Sequence, residues 1–131
     1  MNIRHNPLVV TPGFETIYAH AVEVPADHRT VYVSGQIGLD ADGSVPPSFE
    51  AQFRLAITNL EQVLAAADMQ LADVAKLTFY LTRPSDLPVL REIRLKSLAI
   101  APAVTTLVVS ALAGPDLLIE VEAVAAKALQ P

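Results

Sequence analysis

Between Leu117 and Val124 the chain alternates with a period of two: Ile119, Val121 and Ala123 fall on one side, Glu120 and Glu122 on the other. That period is the mark of a β-strand with one face in a core. Two carboxylates on one side of an otherwise apolar strand are costly to bury unpaired, so that side must meet water, a cation or a subunit boundary. Upstream lies a second β-branched run, Ala101–Val109, and between the two runs the turn signal Ala113-Gly114-Pro115-Asp116. The arrangement reads as an antiparallel pair.

Periodicity organises the rest of the chain. Residues 1–16, broken by Pro7, Pro12 and Gly13, read as an irregular arm, and residues 18–24 as a first strand ending at Pro25. Thr30–Ser34 is a clear strand, with Val31 and Val33 on one face; Gly35 follows it, where a bulge or a close backbone approach is expected. Phe49, Phe53, Ala56, Ile57, Leu60, Val63, Leu64 and Ala67 recur at the spacing of an amphipathic helix capped by Ser48. Gln52, Asn59, Glu61 and Gln62 are assigned to its other face. A third strand spans Lys76–Leu81. Ser85 then opens a second helix, with Pro88 in its first turn and Leu87, Leu90, Arg94 and Leu98 along a noisier stripe.

The element order is therefore β-β-α-β-α-β-β, an α+β chain with both helices on one sheet face. With 131 residues there is room for one domain, and 52% hydrophobic against 18% charged residues implies that the bare sheet face is hidden by self-association. A net charge of −5 argues against nucleic acid or an anionic membrane as partner. The absence of cysteine removes disulfides and thiol nucleophiles. Neither a targeting segment nor a membrane span is expected, and the expected location is the cytoplasm. No metal-ligand spacing or phosphate loop is present, and no cofactor is expected.

Several strings, in order and at compatible spacings, resemble the RidA/YjgF family of imine and enamine deaminases. They are Tyr18-Ala-His20-Ala-Val22, Val31-Tyr-Val-Ser-Gly-Gln36, the helix with Ala51-Gln52, Leu60 and Leu64, Lys76–Thr82, Pro102-Ala103 and Ile119–Ala123. The resemblance implies one domain over residues 1–131, with 1–13 as an irregular arm. It also implies a chorismate-mutase-like fold, a trimeric barrel of sheets and small-molecule clefts at the subunit interfaces. Glu120 falls where the family places the carboxylate that directs the hydrolytic water. Tyr18 resembles the aromatic residue lining the cleft, and Ser34 and Gly35 fit a strand end at its mouth. In the deaminase branch Pro-Ala is followed by an arginine that grips a substrate carboxylate; here Val104 stands there, followed by Thr105 and Thr106. Valine supplies none of the charge-assisted donors of a guanidinium, although Thr105 could donate to a neutral oxygen.

These residues lead to two expectations. One is a hydrolase or deaminase for a small imine, enamine or related metabolite, with Glu120 directing water and a specificity unlike that of 2-imino-acid deaminases. The alternative is a non-catalytic metabolite-binding or regulatory protein that uses the same clefts. Glu122 and His20 are assigned structural roles, and Arg91 and Arg94 a solvated helix face.

Overall fold

A computed structural model describes residues 1–10, 13 and 15–130. Pro12, one of the breakers read in the N-terminal arm, lies outside them. Among the described residues six strands and two α-helices form, in the order β1 (Ile3–His5), β2 (Ala21–Glu23), β3 (His28–Ile37), α1 (Phe49–Ala66), β4 (Val74–Leu81), α2 (Leu87–Ser97), β5 (Ala103–Val108) and β6 (Ile119–Ala128). Strands β3 to β6 make one four-stranded sheet in the order β3-β6-β4-β5, while β1 and β2 form a separate antiparallel ribbon.

Both helices lie on one face of the sheet. Phe53, Leu60 and Leu64 of α1 and Leu90 and Ile93 of α2 pack with Leu77, Phe79, Leu81, Ile119, Val121 and Ala123, all of them buried. Helix α1 forms as its spacing predicts, with the Ser48 hydroxyl accepting from the Ala51 amide at 3.1 Å as N-cap. Helix α2 is entered differently. A 3-10 turn over Pro84–Asp86 precedes it, Asp86 rather than Ser85 is its N-cap residue, and no side chain caps its first amides. Buried Asp86 instead takes a two-pronged ion pair from Arg83, at 2.8 and 3.0 Å, and this pairing pushes the guanidinium pKa above its ordinary value.

Three expectations change. The runs before and after the Gly114 turn are not paired with each other: β5 runs parallel to β4, and β6 inserts between β3 and β4, antiparallel to both. Helix α2 permits the parallel β4–β5 pair, because strands joined through a crossover helix are free to run parallel, as strands joined by a tight hairpin are not. Nor is the arm wholly irregular, since Ile3–His5 pairs with Ala21–Glu23, and the predicted first strand joins that ribbon and touches the main sheet only through a single bridge, Ala19 to Ala103. On α1, Val63 is exposed, whereas Gln52 is fully buried.

Gln52 holds three backbone groups. Its amide nitrogen donates to the Pro46 and Asp116 carbonyls, each at 2.9 Å, and its carbonyl oxygen accepts from the Leu118 amide at 2.8 Å. The connection between β5 and β6 is thereby tied to α1 just before Glu120. Gly38 makes the same junction possible, since a Cβ there would stand 2.6 Å from the Gln52 Cα. Gly38→Ala must push strand end and helix apart, and it is expected to lower stability by about 1–3 kcal/mol, the usual cost of overpacking. Urea unfolding at fixed protein concentration measures it, and an unchanged midpoint would show that the junction yields freely.

Candidate functional site

Two clusters, on opposite faces of the sheet, gather the residues singled out in the sequence. The first lies on the helix side. Segment 17–20 runs beside the start of β5, joined to it by the Ala19–Ala103 bridge and by the Ala19 amide donating to the Pro102 carbonyl at 2.8 Å. Tyr18 is thus set beside Val104. The two line a cavity of about 210 Å³ together with Thr106, Leu87, Leu90, Arg91 and Arg94. Drug-sized ligands occupy roughly 300–1,000 Å³, so this space suits a metabolite of few heavy atoms.

Arg94 does not belong to a solvated face. It is half-buried, its guanidinium carbon lies 5.1 Å from the centre of the Phe79 ring, and one of its nitrogens donates to the Ile17 carbonyl at 3.1 Å. Burial holds its pKa below the ordinary arginine value. The signal was available in the sequence: Arg94 sits four residues after Leu90 and four before Leu98, on the apolar stripe itself. Arg91, one turn earlier on the same helix side, is exposed.

The second cluster lies on the face that the helices leave bare. Between Val33 and Gln36 the β3–β6 register shifts, a bulge that contains Ser34 and Gly35. Half-buried Glu120 folds against it, so that a Cβ on Gly35 would stand 1.8 Å from a Glu120 carboxylate oxygen. Glycine is therefore what lets this carboxylate lie on the bulge. Next along the face, Glu122 accepts a short hydrogen bond from the Tyr80 hydroxyl. That bond, burial and the charges of Glu122 and Glu120 push the Tyr80 pKa up, keeping the phenol a neutral donor. Thr105 also points to this side, where its hydroxyl accepts from Lys76 Nζ at 2.6 Å. Thr106, not Thr105, accompanies Val104 in the cavity. His20 stacks edge-on against Tyr18, with ring centres 5.4 Å apart. Among the described residues no three acidic, histidine or cysteine side chains could share a metal ion.

This fold and these strings agree with known proteins. Residues 10–127 match the family described as endoribonuclease L-PSP. The chain belongs to the RidA/YjgF family. A Rid-family protein of unknown function from Yersinia pestis, YyfB, superposes with a TM-score of 0.83 at 32% identity, covering 95% of this chain and 97% of that one. RidA from a Psychrobacter species gives 0.70 at 32% identity, covering 92% of each. Among relatives, the RutC family protein YjgH of Escherichia coli is 41% identical over 43% of each chain. The 2-iminobutanoate/2-iminopropanoate deaminase of mouse is 36% identical over 58% of this chain and 56% of its own. The chain thus spans about half the length of the curated relatives it matches. Among the described residues no helix is long and apolar enough to cross a membrane.

Proposed function

We propose that this RidA/YjgF protein is a cytoplasmic homotrimer that hydrolyses a small imine or enamine in clefts completed at its subunit boundaries. The observation that carries this reading is the division of the site. Tyr18, Val104 and Thr106 line the cavity on the helix side, while Glu120 and Gly35 lie on the bare face. One chain does not bring its own Glu120 to its own cavity, whereas two copies in contact can. The bare face supports association as well, because Tyr32 stands out of it with 81% of its surface exposed, and an aromatic ring so placed favours a partner.

In this reaction Glu120 takes a proton from a water molecule as the water oxygen bonds to the imine carbon. The nitrogen, protonated in turn, then leaves as ammonia and a carbonyl remains. An enamine enters by first becoming the imine. Deaminase relatives supply the reaction class, and Val104 restricts the substrate: with no guanidinium on β5, a carboxylate attached directly to the imine carbon finds no two-pronged partner there. The ribonuclease activity in the family description fits poorly with a net charge of −5.

Light scattering is expected to give the mass of three 14.0 kDa chains, and a monomer would sink the shared cleft. Hydrolysis of 2-iminopropanoate, generated in situ, is expected to be slow in the wild type and at least ten-fold faster in Val104→Arg. If neither protein hydrolyses the imine, the alternative of a non-catalytic metabolite binder is favoured. Wild-type turnover matching Val104→Arg would overturn the role given to position 104.

A further inference from the structure

Helix α2 sets two guanidinium groups on one cavity that has no carboxylate to match them. Arg94 is the inner one, half-buried, resting on Phe79 and held by the Ile17 carbonyl; Arg91, exposed, stands one turn before it. Among the described residues neither makes an ion pair, although Arg54, Arg83, Lys96 and Lys127 all do. A cation drawn partly out of water is costly to leave without a counter-charge, and an anion brought into the cavity would offset that cost. The planar fork of arginine fits a carboxylate in particular, and the Ile17 bond uses only one of its five N–H donors.

The opposite wall is short. Val104 and Thr106 leave open the space that a long side chain on β5 would fill, and Tyr18, Leu87 and Leu90 make the remaining surface largely apolar. Arg94 is held at Phe79 and Ile17 rather than at position 104. A ligand must therefore reach the guanidinium groups with its own carbon chain.

We propose that Arg94 and Arg91 form an anion seat on α2 for a small metabolite whose carboxylate is separated by two or more carbons from its C=N or C=O carbon. The proposal rests on the reading of this cavity as the substrate pocket. It names a substrate class, distinct from 2-imino acids, and two specificity-determining residues.

Stable keto acids test it by binding alone. Calorimetric or NMR titration of the full-length protein is made with 4-oxopentanoate, with 2-oxopropanoate, and with neutral 2-pentanone as control. 4-Oxopentanoate is expected to bind at least ten-fold more tightly than either of the others, and to weaken as salt is raised. Arg94→Met, which keeps length without charge, is expected to remove that advantage. Should Arg94→Met fail to fold, Arg91→Met, at an exposed position, decides instead by a several-fold loss and a flatter salt dependence. Equal binding of the ketone, tighter binding of 2-oxopropanoate, or an Arg91→Met and Arg94→Met pair that both bind like wild type would overturn the seat. Glu120→Gln separates this proposal from the catalytic one. Charge-dependent binding without turnover in any variant leaves the seat standing and removes the hydrolase, whereas turnover with no preference for the remote carboxylate does the reverse.

Discussion

Replacing Gln52 by leucine is expected to lower the stability of the folded chain by about 3–5 kcal/mol, a large share of the roughly 5–15 kcal/mol typical of a domain. Leucine is close to glutamine in size and is welcome among Phe49, Phe53 and Ala56, so little is lost in packing. The loss is polar. The Pro46 and Asp116 carbonyls and the Leu118 amide would each lose a side-chain partner that is itself fully buried. An unsatisfied buried group costs about 1–3 kcal/mol, and the favourable burial of leucine offsets part of the sum. Urea or thermal unfolding at matched protein concentration is the measurement, since association would add to apparent stability. A loss under about 1 kcal/mol would mean that water reaches the freed carbonyls, and that Gln52 does not hold the β5–β6 connection. Because that connection ends at Leu118, two residues before Glu120, the variant should also lose activity beyond what its folded fraction explains.

Glu120→Gln is expected to reduce kcat by about 10²–10⁴-fold, the usual contribution of a positioned general base, with little change in KM. Glutamine preserves the shape that lies against Gly35 but cannot accept the proton that water must give up. Stability should hardly move, because among the described residues no hydrogen bond or ion pair fixes the Glu120 carboxylate. Steady-state kinetics on an accepted imine, with unfolding measured alongside, separates the outcomes. Unaltered kcat would remove Glu120 from the chemistry. A parallel fall in stability and activity would make it a structural residue instead.

Local pattern carried much of this protein. The spacing from Phe49 to Leu64 fixes a helix and its cap, and the alternation in β4 and β6 fixes which residues face the core. Ser34 and Gly35 announce a break in β3, and the break is a bulge. The same pattern misplaces Gln52 when polarity is set above position. Gln52 lies three residues after Phe49 and four before Ala56, squarely on the apolar stripe, and a polar residue there is buried when backbone groups need a partner.

By itself, then, the sequence determined most of the elements, the side of each strand that is apolar, and the family. Tertiary structure alone decided that β6 lies between β3 and β4, and that Tyr18 reaches Val104 through the Ala19–Ala103 bridge. It alone set Arg94 against Phe79 and placed Glu120 on the face away from the cavity. The reason is physical: periodicity reports how a segment divides between apolar and polar sides, a property of neighbours three or four residues apart. Strand order and the meeting of side chains depend on contacts between distant segments, where many pairings satisfy the same local pattern and only packing of the whole chain chooses among them.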